Sequence, residues 1–373
     1  MTYNQGMKVL VTGGHPAPAL AFIDALRANQ KHSETELVFV GRQFNNEREQ
    51  TTSYEYKEIE KLGIRFIHLK TGRLTRLVSL RTLKSLIEVP LGFLRAVSII
   101  AAEKPDRVVT FGGYIALPVA YAAWITGIPV YIHEQTIHPG LATRLIARIA
   151  RTIFISFPQS ARYFPSHKVL VTGNLLRRHL FTETKKPFPF PLDKPLIYVT
   201  GGSLGSHSLN VHIEQILTQL IPQYTVIHQV GNVQEFNDFE RLKSLREKMS
   251  AELQSHYYPV EHLSAEEVGY CYSHAELVIS RSGANTVFEL IALQKPAILV
   301  PLPWSAHNEQ EEQAQLLQKA GVAEIFHQDQ PSQQLLYIIK HMVNNRDTYF
   351  SSFTNLTELY REDAAELVVQ TVC

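Results

Sequence analysis

Three turns rich in glycine and small polar residues carry the groups best suited to chemistry: Thr12-Gly13-Gly14-His15, Thr200-Gly201-Gly202-Ser203 and Ser280-Arg281-Ser282-Gly283-Ala284-Asn285-Thr286. Each follows an apolar run of strand length and opens a helical pattern. Glycine lets the backbone approach a ligand closely, and the free N–H groups of a helix start favour an anion, phosphate above all. No turn reads G-x-G-x-x-G or ends in Gly-Lys-Ser/Thr, which argues against a dinucleotide fingerprint and a P-loop. One such turn alone serves equally well as strand-to-helix punctuation. Two in the second half of the chain point to a diphosphate.

Around the last turn, the N–H groups of Ala284, Asn285 and Thr286 would meet phosphate, while the Glu289 carboxylate can accept from two vicinal ribose hydroxyls. The same residues fit a plain helix start, with Asn285 or Thr286 as cap and Glu289 favoured by the helix dipole. His15 follows two glycines at a strand end and is the candidate general base, with helix capping or a buried hydrogen bond as its other reading. In "VYIHEQTIHPG" the two histidines, His133 and His138, are five apart rather than the four of a zincin helix, and no Asp-x-Asp occurs, so no metal is expected. His133, Glu134 and Gln135 read instead as polar groups delivered by a strand end. Asn308, Glu309 and Gln310 lead a helix after "PLPWSAH" and suit a polyhydroxylated ligand such as a sugar; Glu311 and Glu312 fit a solvated face. Residues 72–100 mix Arg73, Arg76, Arg81, Lys84 and Arg95 with Leu77, Leu80, Phe93 and other apolar residues. That pattern suits an anionic membrane interface or a helix packed on a sheet.

These groups must be held by an α/β scaffold. Short apolar runs at 8–13, 36–41, 107–112, 129–134, 152–157 and 168–173, then 196–202, 225–231, 276–280 and 296–301, alternate with helical patterns. Parallel strands joined by crossovers follow, hence two doubly wound domains whose ligands sit at the strands' carboxyl ends. The expected division is 1–180, a proline-rich linker at 181–195, a second domain at 196–345, and a helical segment at 346–373 that could return to the first domain. The uncharged stretch 108–132 approaches the ~20 residues of a membrane span. Its glycines and prolines favour strand, helix, strand instead.

With 36 Lys plus Arg against 35 Asp plus Glu, the 373-residue chain has no global pull toward nucleic acid. Two cysteines, Cys271 and Cys373, and an N-terminus unlike a secretory signal read as a reducing, cytoplasmic setting.

Taken in order, "GGHPAPALA", "FGGYIALPVAYAAWITGIPVYIHEQT", "TGNLLR", "GGSLGSHSLN", "SRSGANTVFE" and "NEQEEQA" resemble the MurG family, the UDP-N-acetylglucosamine transferases that convert lipid I to lipid II in peptidoglycan synthesis. The resemblance implies a GT-B fold of two Rossmann-like domains facing a cleft, and metal-independent, inverting transfer without a cofactor. Its partners would be a UDP-sugar donor, an undecaprenyl-diphosphate-linked acceptor and the anionic cytoplasmic face of the membrane, with no nucleic acid. It places the acceptor diphosphate at Gly13 and Gly14, the base at His15, and Tyr114 and Glu134 beside them. Arg177, Gly202, Ser203, Ala284, Asn285 and Thr286 would hold the UDP phosphates, Glu289 the ribose, Gln310 the sugar hydroxyls, and Thr136 and Glu309 would border the sugar. Arg76, Leu77, Leu80, Lys84 and Phe93 would form the peripheral membrane patch. The chain departs from the family pattern in a shortened first glycine turn and at Thr136, Leu175, Glu309 and Gln313. Another GT-B transferase with a glycolipid acceptor, a UDP-sugar 2-epimerase and a non-catalytic scaffold are the rival readings.

Overall fold

A computed structural model describes residues 6–32, 34–46, 51–72, 80–181, 185–191, 193–202, 205–231 and 235–373. The chain divides into two compact units, residues 1–177 with 361–373, and residues 178–360.

The first unit holds β1 (Lys8–Thr12), α1 (Pro16–Ala28), β2 (Glu36–Gly41), β3 (Phe44–Asn46), β4 (Thr51–Thr52), α2 (Tyr54–Lys61), β5 (Arg65–His68), α3 (Leu80–Glu103), β6 (Arg107–Thr110), α4 (Gly113–Ile125), β7 (Val130–Glu134), α5 (Leu141–Ile149), β8 (Thr152–Ile155) and β9 (Val169–Val171). Its seven-stranded sheet runs β5-β2-β1-β6-β7-β8-β9, with every pair parallel. Side chains alternate across a strand, so Val9 and Val11 enter one core while Leu10 enters the other. The uncharged stretch 108–132 is the strand, helix, strand unit expected: β6, α4 and β7. Among the described residues no helix is long and apolar enough to cross a membrane.

The second unit holds β10 (Leu196–Thr200), α6 (His207–Leu220), β11 (Thr225–Gln229), α7 (Asp238–Glu247), α8 (Ala251–Gln254), β12 (Tyr257–Val260), α9 (Ala265–His274), β13 (Leu277–Ser280), α10 (Ala284–Ala292), β14 (Ala297–Leu299), α11 (Glu309–Lys319), β15 (Ala323–Ile325), α12 (Ser332–Asn344) and α13 (Arg346–Ser351). Its sheet runs β12-β11-β10-β13-β14-β15, again all parallel. Helix α14 (Ala364–Val372) belongs to the first unit, where Val368, Val369 and Val372 join the core beside α1.

Two boundaries differ from expectation. The proline-rich stretch 181–195 is part of the second unit, because its aromatic residues find partners there: Phe188 stacks on Tyr258 at 4.5 Å and Phe190 is buried against Tyr258 and Tyr270. The segment 346–373 is split, α13 staying with the second unit and α14 joining the first. Strands β3, β4, β5, β12 and β15 were not anticipated. Each is short and carries a polar residue or, in β12, Pro259, which blurs the apolar run that marks a buried strand.

In both sheets the strand order reverses beside the first strand of the unit. Chain direction leaves β1 toward β2 on one side and toward β6 on the other, and leaves β10 toward β11 and β13 in the same way. Loops diverge at such a switch point, which is where open α/β sheets bind ligands.

Candidate functional site

The first switch point is built from two diglycine turns. Gly13 and Gly14 leave β1, and Gly112 and Gly113 leave β6. The turns meet backbone to backbone. A Cβ on Gly14 (φ +150°) would overlap the Gly112 carbonyl oxygen and lie 2.8 Å from its carbon, and one on Gly113 (φ +80°) would stand 3.1 Å from the Gly14 Cα. Only glycine allows that approach together with those dihedrals.

His15 takes the N-cap position of α1 with extended backbone, yet its side chain makes no capping bond, which removes the capping alternative. Its ring lies over Gly112, 3.7 Å from where a Cβ there would stand. Enclosure lowers its pKa below the usual histidine value, and the Glu134 carboxylate pulls the other way. The ring is therefore a neutral acceptor near pH 7. Glu134 ends β7 and is buried; its Oε1 accepts from the Thr136 N–H at 2.9 Å and from the Thr136 hydroxyl at 2.6 Å. Thr136 thus orients Glu134 within the first unit. Tyr114, in the first turn of α4, has the Arg42 guanidinium 5.8 Å over its ring. Buried His133 bonds the Gly173 carbonyl at 3.3 Å through Nε2, and desolvation drops its pKa to about 4. Its place is support beneath the turn.

Arg177, expected at the donor phosphates, is held in the first unit by the Tyr54 hydroxyl at 2.7 Å and by Glu58 at 3.7 Å. Of the expected membrane patch, Arg76 and Leu77 lie outside the described residues, as do the side chains of Leu80 and Lys84. Phe93 is partly buried against the core, while Leu91 and Leu94 on the same helix are 46% and 61% exposed.

The second switch point repeats the glycine design. Gly202 (φ +83°) donates to the Thr200 hydroxyl at 3.1 Å, and its carbonyl accepts from Gln229 Nε2 at 3.1 Å. Gly205 (φ +80°) passes so close to Val230 that a Cβ would overlap the Val230 carbonyl. Ser203, between them, lies outside the described residues. After β13, Gly283 is the N-cap of α10 and brings no side chain to the amides of Ala284, Asn285 and Thr286. Neither Asn285 nor Thr286 is the cap, so the capping alternative does not apply here either. The helix start thus has no side-chain cap, and the first-turn N–H groups of a helix lack intrahelical partners.

Glu289 is half-buried on α10 and accepts from the Tyr272 hydroxyl at 3.0 Å. Tyr272 is buried; desolvation first and the Glu289 charge second raise its pKa well above the ordinary phenol value. It remains a donor and aims the carboxylate. Gln310 is tied into the β14–α11 loop, its Oε1 accepting from Leu302 N–H at 3.0 Å and its carbonyl from the Ser282 hydroxyl at 2.8 Å. Glu309 Oε1 accepts from Gln313 Nε2 along α11. The loop before them holds consecutive left-handed residues, His307 (φ 56°) and Asn308 (φ 57°), a strained arrangement that fixes how α11 begins.

Three supporting residues escaped sequence reasoning: Arg281, Tyr272 and Gln229. Arg281 donates to the carbonyls of Val300 and Pro301, to Ser208 and to Gln328, placing a cation at the base of both turns; desolvation lowers its pKa only to about 10, so it stays charged. Its position in "SRSGAN" was a usable signal. Nothing local marks Tyr272 or Gln229, whose partners are remote in sequence.

Comparison with known proteins decides the family. The glycosyltransferase family 28 N-terminal domain matches residues 9–155 and the family 28 C-terminal domain matches residues 196–368, spans that contain all four glycine turns. A UDP-N-acetylglucosamine--N-acetylmuramyl-(pentapeptide) pyrophosphoryl-undecaprenol N-acetylglucosamine transferase of Thermoanaerobacter sp. (strain X514) is 32% identical over 367 residues, covering 97% of this chain and 96% of the relative. This chain belongs to the MurG family of glycosyltransferases. A second relative of the same name, from Clostridium botulinum (strain Langeland / NCTC 10281 / Type F), is 30% identical and covers 95% of this chain and 99% of its own. The fold is shared with the crystal structure of Acinetobacter baumannii MurG (TM-score 0.70, 24% identity, 98% and 99% covered). It is also shared with UDP-GlcNAc 2-epimerase from Neisseria meningitidis (TM-score 0.67, 18% identity, 98% and 99% covered), so fold alone does not separate transferase from epimerase. Sequence identity along the whole chain does, in favour of the transferase family.

Proposed function

We propose that this protein transfers N-acetylglucosamine from UDP-N-acetylglucosamine to the lipid-linked N-acetylmuramyl-pentapeptide acceptor, the step that forms lipid II in peptidoglycan synthesis. The observation that carries this reading is the near-full-length identity to transferases named for that reaction, at 30–32%.

In this reading the acceptor diphosphate lies against the Gly13–Gly14 turn, and His15 takes the proton from the sugar 4-hydroxyl as its oxygen attacks the anomeric carbon from the face opposite UDP. The bond from that carbon to the diphosphate oxygen breaks, so the reaction inverts configuration. Glu134 stabilises the imidazolium that forms. Main-chain amides of the Gly202 turn and of Ala284, Asn285 and Thr286, backed by Arg281, receive the charge on the departing diphosphate. Glu289, aimed by Tyr272, holds the ribose, and Gln310 and Glu309 meet the sugar. The amide donors and Arg281 supply the stabilisation that a divalent cation would otherwise give, and we assign no metal to the step. Leu91 and Leu94, with the basic residues of 72–100, suit contact with an anionic membrane surface.

The test is UDP release from UDP-N-acetylglucosamine with and without a water-soluble lipid I analogue. Release that depends on the acceptor, with the disaccharide product seen by mass spectrometry, supports the reading. Release without acceptor, or formation of the 2-epimer, overturns it.

A further inference from the structure

Glu55 stands on α2, whose first turn is fixed by Ser53 accepting from the Tyr56 N–H. Its carboxylate points into the β1–α1 turn, where Oε1 accepts from the Gly14 N–H at 3.2 Å. The surrounding backbone is shaped to admit it. A Cβ on Gly13 would overlap the carboxylate, and one on Gly41 would lie 2.6 Å from Oε2. An acidic group has thus been given room at a main-chain amide of the turn to which the proposed function assigns the acceptor diphosphate. A carboxylate and a diphosphate at one turn repel each other, and the repulsion vanishes once the carboxyl group carries a proton.

We propose that Glu55 is a proton-coupled gate on the acceptor site: the acceptor's diphosphate binds the Gly13–Gly14 turn together with a proton taken up by Glu55. This inference rests on the transferase reading given above. Arg42 after β2 acts on Glu55 by charge, its guanidinium lies over the Tyr114 ring on α4, and His15 follows Gly14 on the turn that Glu55 enters. Arg42 favours the ionised form, as do the bonds from the backbone of Gly14 and Arg42. Desolvation outweighs them and lifts the Glu55 pKa to about 7. The free protein near neutral pH is therefore poised between the two forms of Glu55, while burial holds His15 below the usual histidine value.

Calorimetric titration of the full chain with a short-chain lipid I analogue, without donor, in buffers of different ionisation enthalpy, counts the protons taken up. At pH 8 the wild type should take up close to one proton, and its affinity for the analogue should be about tenfold weaker than at pH 6. Glu55→Gln keeps the shape and removes the titration; it should take up few or no protons and change affinity less than about twofold across the same range. Glu55→Ala provides the same readout if the glutamine variant does not fold. Equal proton uptake in wild type and variants, or none in wild type, overturns the gate. A role confined to holding the turn would alter thermal stability while leaving the proton count of the variants equal to that of wild type. If the analogue binds and is converted to disaccharide with no proton uptake, the gate alone is wrong. If the analogue is neither bound nor converted at any pH, the transferase reading falls as well.

Discussion

Replacing Gly14 by alanine tests whether the first site depends on two backbones touching. The new Cβ would overlap the Gly112 carbonyl oxygen and sit 2.8 Å from its carbon, and the neighbouring atom is main chain, so no side-chain rotation relieves it. A φ of +150° adds strain that a residue with a Cβ meets at about 1–3 kcal/mol. Overpacking against backbone adds about 1–3 kcal/mol. Together they predict a loss of about 2–6 kcal/mol in the first unit, a fall in its Tm of about 4–24 °C at the per-kcal shift expected for a domain of this size. The turn must also open, moving His15 off Gly112, so acceptor kcat/KM should fall at least tenfold while UDP binding at the second unit stays within twofold. Thermal unfolding by near-UV circular dichroism, calorimetry with UDP and turnover with the lipid I analogue measure the three quantities. Gly63→Ala is the control: its φ is +64°, but nothing lies within 4 Å of the added carbon, so it carries the dihedral cost without the clash and no loss of activity. If Gly14→Ala melts and turns over like the Gly63 variant, the contact between the two turns does not shape the site and the argument is refuted.

His15→Ala should lower kcat by about 10²–10⁴ with UDP affinity unchanged, and full turnover would remove it from the role of base. Glu289→Ala should weaken UDP binding by about tenfold or more, the value of a hydrogen bond to a charged group. Tyr272→Phe should reproduce part of that loss; calorimetry showing both variants at wild-type affinity would detach this pair from the ribose. His133 and His228 are buried and neutral, with desolvation depressing their pKa values to about 4 and about 3. Below pH 6.5 the unfolded chain binds protons that these folded rings refuse, so stability should fall as the pH drops from 6.5 toward 4. Urea midpoints should shift down over that window, and His228→Gln, which can still bond Asn210 and Tyr257, should flatten the slope; an unchanged slope would assign the acid sensitivity elsewhere.

Local sequence was sufficient wherever a residue's role depends on its immediate neighbours. The strand-forming runs of β1, β6, β7, β10 and β13, the glycine turns that follow them and the breaks within 108–132 were all legible, because period, apolarity and glycine placement are properties of short windows. So was the pairing of His15 with a diglycine and of Glu289 with a helix start. A basic amphipathic pattern does not say how far each apolar residue enters the core, and Phe93 is partly buried there while Leu91 and Leu94 are exposed. The linker was misplaced because prolines signal a break, whereas Phe188 and Phe190 acquire partners only from β12 and α9.

By itself, the sequence determined an α/β chain with two sets of parallel strands, glycine turns able to hold anions, and membership of a transferase family. The tertiary structure decided which turns share a switch point, since strand order brings residue 14 against residue 112 across a long span of chain. It also decided that Thr136 serves Glu134, that Tyr272 aims Glu289, and that Glu55 enters the first turn. Hydrogen bonds and steric contacts act over a few ångströms in space, and folding alone sets which distant residues come within that reach.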